Sequence, residues 1–179
     1  MGFDKATLVL DGEPLWRRQL QTLQSTGASE VFVAGKVDGP WSQAGLEAVA
    51  DAAPDVGPLG GLVAGLRRAS HAWLLVLAVD LPDVPATFLS SLIAEAMRSG
   101  FGQVPAREEW LQPLAAIYPA RSLPVAAAVL ATDHRSLRRF FRRSSRAGLV
   151  SARAVSNEEQ AFFRNLNTPE DLAARVSPS

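Results

Sequence analysis

Trp73-Leu74-Leu75-Val76-Leu77-Ala78-Val79, ending abruptly in Asp80-Leu81-Pro82, is the stretch on which the fold turns. Seven apolar residues without alternation have the length of a strand and the character of one covered on both faces, so the run reads as a central parallel strand between helical layers. On either side of it, short apolar runs alternate with longer stretches of helical period, with Gly or Pro at the junctions. That pattern of repeated βα units predicts a three-layer α/β fold with a mostly parallel central sheet.

Working outward, Leu8-Val9-Leu10 is a short strand closed by the turn Asp11-Gly12. Pro14 suits the first turn of a helix carrying Leu15, Trp16, Leu20 and Leu23 until Gly27. Val31 to Ala34 reads as a strand ending at Gly35, Lys36 to Ser42 as a loop and Leu46 to Ala50 as a strand. Gly57 to Gly61 forms a turn into a helix bearing Leu62, Val63, Leu66 and Ala69. Beyond Asp80 come a helix from Pro85 to Ser99 and a hairpin-like excursion around Val104 and Leu114 to Tyr118. Helical segments Leu123 to Leu130 and Ser136 to Arg143 precede a strand at Leu149 to Val155. Thr168-Pro169-Glu170-Asp171 opens a last helix, with Thr as N-cap, Pro at the first position and acids in the positive first turn.

At 179 residues, 47% of them hydrophobic and 20% charged, the chain has the size and composition of one folded domain spanning 1–179. The absence of cysteine excludes a disulfide framework, a thiolate zinc site and a cysteine nucleophile. No run is long enough to span a membrane and the N-terminus lacks a signal-peptide pattern, so the expectation is a soluble, unsecreted, cytoplasmic protein. Zero net charge argues against a general nucleic-acid surface, although 18 Lys+Arg are balanced by 18 Asp+Glu only in sum.

Asp80 carries the strongest chemical signal. In open α/β sheets ligands bind outside the carboxyl ends of strands, and a carboxylate there is a hard oxygen ligand suited to Mg²⁺ bridging phosphates, though an Asp at such a place also serves as a turn former. Asp51 to Gly61 is second: backbone N–H groups at a helix start can approach an anion or a purine edge, and a packing turn looks the same. Neither the Walker nor the dinucleotide glycine pattern occurs. Lys5 offers a compact charge for phosphate, or a solvated terminal one. Arg135, Arg138, Arg139, Arg142, Arg143 and Arg146 fall on one helix face, a solvated stripe or a dock for an anionic cofactor or partner protein. His71 and His134 lack metal-pair spacing.

In order along the chain, M-G-F-D-K-A-T-L with D-G-E-P-L (Met1 to Leu15), D-A-A-P-D-V-G-P-L-G-G-L (Asp51 to Leu62), W-L-L-V-L-A-V-D-L-P (Trp73 to Pro82), L-Q-P-L-A-A-I-Y (Leu111 to Tyr118) and F-R-N-L-N-T-P-E-D-L (Phe163 to Leu172) resemble the nucleotidyltransferases typified by molybdenum cofactor guanylyltransferase. The resemblance implies a Rossmann-like nucleotidyltransferase fold. It further implies transfer of GMP from GTP to molybdopterin, the cofactor's terminal phosphate attacking the α-phosphate, with Mg²⁺ as cofactor and pyrophosphate as leaving group. Lys5 then matches the lysine that holds the triphosphate, Asp80 the magnesium aspartate and Asp51 an acid contacting guanosine. Gly57, Pro58 and Leu59 match the turn lining the purine pocket. Asn165 and Asn167, with Gln112 and Pro113, match the cofactor side. The chemistry agrees, since phosphoryl transfer needs positioned cations rather than a catalytic triad.

Two departures shape the expectations. The family signature sets an apolar strand and a glycine loop before Met-Gly, and the chain opens at that Met-Gly; Ala34-Gly35 stands where relatives often carry a polar residue. The first strand is therefore expected to be missing from the sheet, leaving two apolar neighbours without backbone partners, and the 179-residue form is expected to bind GTP poorly. The alternatives are a cytidylyl- or sugar-phosphate nucleotidyltransferase, and a noncatalytic relative that binds the cofactor or docks on a molybdoenzyme or its chaperone.

Overall fold

The computed structural model describes residues 5–51, 56–166 and 171. A 3-10 turn, Lys5–Thr7, leads into an antiparallel hairpin of β1 (Val9–Leu10) and β2 (Glu13–Pro14). Asp11 and Gly12 close it with φ of 52° and 82°, the paired positive values a two-residue hairpin requires. Helix α1 (Leu15–Gln24) follows, with Pro14 at its N-cap rather than inside its first turn. Next come β3 (Val33–Gly35), a short helix α2 (Pro40–Gln43) within the segment expected to be a loop, and β4 (Ala48–Ala50). The chain continues through α3 (Pro58–Arg68), β5 (Trp73–Leu77), α4 (Ala86–Ser99), β6 (Gly102–Arg107), β7 (Trp110–Leu111) and β8 (Ala115–Pro119). It ends in α5 (Leu123–Leu130), α6 (Leu137–Arg146), β9 (Val150–Ala154) and a 3-10 turn, Glu159–Phe163. The expected helix start at Thr168-Pro169-Glu170 lies outside the described residues.

The α/β reading holds, and β5 shows why its sequence lacks alternation. Leu74 and Val76 pack on one face against α3, α5 and α6, while Trp73, Leu75 and Leu77 pack on the other against α4. Two apolar layers thus sandwich the strand.

The expected central, parallel setting of β5 is corrected. Among the described residues β5 ends a five-stranded sheet of order β5-β8-β6-β7, with β9 also on β6. It pairs antiparallel with β8, as does β6, and only β6–β9 is parallel in that sheet. The physical reason is the β6–β7–β8 excursion, which turns at Glu108 (φ 51°) and feeds β8 in backwards between β5 and β6. Burial on both faces reports helical cover and carries no information about strand direction. A separate parallel pair, β3–β4, stands on the other side of an open cleft from β5.

The arginine stripe is also narrower than expected. Arg135 precedes the N-cap Ser136, whose hydroxyl accepts the Arg139 amide, and Arg138 reaches across to Glu109 through a 2.7 Å bond to its carbonyl. Leu137, Phe140 and Phe141 take the inner face as the spacing implied. No helix among the described residues is long and apolar enough to cross a membrane.

Candidate active site

Asp80 follows β5 on a tight turn, Leu81 N donating to Ala78 O at 3.3 Å. The 3-10 turn Lys5–Thr7, held by buried Ala6, delivers Lys5 Nζ to 3.7 Å from Asp80 Oδ2, with the two side chains 42% and 21% exposed. A cation and a carboxylate distant in sequence therefore share one open strand end. The segment before Asn167 joins them: Leu166 N donates to Asp80 O at 2.9 Å, and the Leu166 side chain is buried against Leu8, Leu10, Leu15 and Val79. Asn165 is exposed beside this contact, and Asn167 lies outside the described residues.

Gln112 and Pro113 reach the same strand end through Leu114, whose carbonyl accepts the Ala78 amide at 2.7 Å. Gln112 Oε1 accepts the Leu114 amide, and the Tyr118 hydroxyl donates to Pro113 O at 2.7 Å. Complete burial pushes the Tyr118 hydroxyl far above its ordinary pKa, so it stays a neutral donor.

A second group forms around α3. Asp51 follows β4, and its Oδ1 comes within 3.2 Å of where a Cβ on Gly61 would stand and 3.8 Å of one on Gly35. Glycine at those positions leaves room for the carboxylate. Gly57, at φ 64°, caps the helix and Pro58 begins it. Leu59, by contrast, puts its side chain in the core at 1% exposure, so the turn offers a ligand its backbone and not that side chain. The α3 group opens onto a cleft of about 910 Å³ between β3 and β5, lined by Gly35, Asp51, Gly57 and Pro58; Lys5 and Asp80 are not among its lining residues and adjoin it through their neighbours Ala6 and Val79.

One positioning residue escaped the sequence reading. Gln19, on the inner side of α1, donates from Nε2 to both Ala78 O (2.9 Å) and Leu81 O (2.8 Å), clamping the turn that presents Asp80. Its signal was a polar residue between Trp16 and Leu20 on an apolar face. Arg18 adds a 3.1 Å bond to Pro82 O. His71 bonds Ser29 at 3.0 Å and both line the same cleft, before the start of β5 rather than at its Asp80 end. Among the described residues no three His, Cys, Asp or Glu side chains gather; the Asp80 carboxylate is a hard oxygen donor of the kind that suits a cation keeping waters and phosphate oxygens as its other ligands.

The layered sheet, with lysine, aspartate and a glycine-rich helix start at its strand ends, defines a Rossmann-like nucleotidyltransferase fold. Molybdopterin-guanine dinucleotide biosynthesis protein A from Archaeoglobus fulgidus has the same fold, with a TM-score of 0.76 over 97% of this chain and 89% of that one at 24% identity. So does 4-diphosphocytidyl-2C-methyl-D-erythritol synthase from Anaerococcus prevotii, at a TM-score of 0.75 over 97% and 92% with 10% identity. The family model of the MobA-like NTP transferase domain matches residues 1–148, and the chain belongs to that family. A probable molybdenum cofactor guanylyltransferase from Opitutus terrae is 37% identical over 174 residues, 96% of this chain and 86% of the relative. A molybdenum cofactor guanylyltransferase from Xanthomonas euvesicatoria is 34% identical over 180 residues, covering 98% and 87%.

Proposed function

We propose that the chain, working in the cytoplasm, transfers GMP from GTP to molybdopterin; the names of its relatives state guanylyl transfer to the molybdenum cofactor for those proteins. The observation that carries the proposal is the 3.7 Å Lys5–Asp80 pair at the mouth of β5, with Leu166 bonded to the same aspartate. In the reaction an oxygen of the molybdopterin phosphate forms a bond to the α-phosphorus of GTP, the α–β anhydride bond breaks, and its electrons leave with pyrophosphate. Lys5 holds the triphosphate oxygens and offsets the charge that grows on the leaving group. Asp80 would hold Mg²⁺, which supplies Lewis-acid neutralisation of phosphate charge when bound. Asp51 and the backbone of Gly57, Pro58 and Leu59 receive the guanosine, while Gln112, Pro113 and Asn165 take the acceptor, as Asn167 does by its match to the family motif.

The test uses millimolar nucleotide, because a cleft open between β3 and β5 favours weak GTP binding. GTP with Mg²⁺ should raise the melting temperature more than CTP does. Added molybdopterin should then yield pyrophosphate and guanine dinucleotide in equal amounts. Turnover with CTP alone would establish the cytidylyl alternative, and no product from either nucleotide would overturn the transfer reading.

A further inference from the structure

The outer face of α6 carries charge that the rest of the described structure leaves unanswered. Elsewhere arginines meet acids: Arg68 bridges Glu30 and Glu47, Arg98 pairs with Glu95 and Arg153 with Glu159. On α6 only Arg138 does so, with Glu109 at 3.6 Å, while Arg135, just ahead of the helix, bonds the Thr132 carbonyl. Arg139, Arg142, Arg143 and Arg146 have no ion pair or side-chain hydrogen bond among the described residues.

The helix holds these charges against its own stability. Arg138 and Arg142, Arg142 and Arg146, and Arg139 and Arg143 are like-charged neighbours at i,i+4. Arg138 and Arg139 also stand in the first turn, at the positive end of the helix dipole, where no acid is present. The inner face is fixed, with Phe140 fully buried against Tyr118 at a ring separation of 5.4 Å and Leu137 and Phe141 packed on the same core. A rigid element therefore presents two arginine rows, each repeating about every 6 Å along the axis. At the C-terminal end of α6, Phe101 is 42% exposed and lies 3.9 Å from where a Cβ on Gly148 would stand.

Charge selects the occupant. The segment 135–146 holds six of the 18 Lys+Arg and no acid, so the rest of the chain sets 12 basic side chains against 18 acidic ones and is net negative. A nucleic acid or an anionic membrane would reach beyond the roughly 15 Å of a ten-residue helix and meet that negative remainder within a Debye length of about 8 Å. A second copy seated stripe on stripe would oppose like charges. A short acidic helix with carboxylates at i,i+4 has the same repeat, the same length and the opposite sign.

We propose that the outer face of α6 docks an acidic helical segment of about ten to twelve residues from a partner protein. Its carboxylates pair with the two arginine rows, and an apolar residue at one end rests on Phe101. The docking stands apart from the transfer reaction.

The experiment follows the anisotropy of fluorescein-labelled Leu-Ala-Glu-Glu-Ala-Ala-Glu-Glu-Ala-Ala-Glu-Glu as the 179-residue chain is added without nucleotide. Saturable one-to-one binding is expected, weakened at least about tenfold by Arg142→Glu with Arg143→Glu and about fivefold by Phe101→Ser. Arg17→Glu, on α1, should leave it unchanged. Arg142→Gln with Arg143→Gln should also weaken binding while the melting temperature holds or rises, because a like-charge pair is removed from each row, and this separates lost docking from lost folding. A peptide of the same composition with its glutamates in one block should bind at least about fivefold more weakly, since its carboxylates no longer share one face. Equal binding of the blocked peptide, or binding unchanged by the α6 variants, would overturn the proposal. So would tighter binding of a DNA duplex of about thirty base pairs, or of phosphatidylglycerol vesicles, than of the peptide.

Discussion

The sheet half built from β5, β8, β6 and β9 and the half built from β3 and β4 differ in completion. In the first, β8 has neighbours on both edges and helices cover both faces, with Val104, Ala115, Ala116 and Tyr118 fully buried. In the second, two three-residue strands pair only with each other among the described residues, and Val33 and Ala48 remain part-exposed. Gln112 and Pro113, proposed above for the acceptor, belong to the complete half, whereas Asp51 and Gly57 line the open cleft. Lys5 and Asp80 sit at the seam. One half of the molecule is thus closed and fully packed, while the half that carries Asp51 and Gly57 is loosely walled.

The largest expected effect is at the seam. Asp80→Asn should lower pyrophosphate release by roughly 10²–10³-fold with an unchanged melting curve; an unchanged rate would separate Asp80 from the chemistry. The two halves are then compared directly. Leu89→Ala, at 0% exposure in α4, should cost about 2–5 kcal/mol in urea denaturation. Leu20→Ala, on the cleft wall, should cost less than about 1 kcal/mol, because no sealed cavity is created. Equal losses would mean the cleft is as tightly packed as the core. Tyr118→Phe removes the hydroxyl from Pro113 O and should destabilise by about 1–2 kcal/mol, read as a lower denaturation midpoint.

The smallest effect is acid-dependent and confined to the complete half. Hydrogen bonding from the Arg153 guanidinium, reinforced by the Ser156 amide, holds the Glu159 carboxyl below its ordinary value of 4.5. Its contribution is therefore fully present above about pH 4.5 and is lost as pH falls through the depressed value. Glu159→Gln should cost at most about 1 kcal/mol at pH 7, and the difference from the parent should shrink in denaturation curves taken toward pH 3. A difference independent of pH would refute the assignment.

Much of the fold was readable because burial leaves a pattern. The uninterrupted run 73–79 announced two apolar layers, and Pro85 with Ser99 bracketed α4 almost to the residue. Strand direction was not readable, since helices on both faces produce the same composition whether β8 runs with or against β5. At the site, Lys5 and Asp80 were identified separately, and only the folded chain brings them to 3.7 Å. Leu59 shows the limit of motif matching: the turn matches, yet the side chain serves the core. Gln19 was missed because its partners are carbonyls more than fifty residues away, which no local spacing encodes.

Among the described residues β5 has one edge paired with β8 and one open edge. Residue-resolved amide exchange along β5 of the 179-residue chain tests it most directly. Alternation is expected, with Leu74 and Val76 protected and Leu75 and Leu77 exchanging at least about a hundredfold faster. Uniform protection from Leu74 to Leu77 would contradict it.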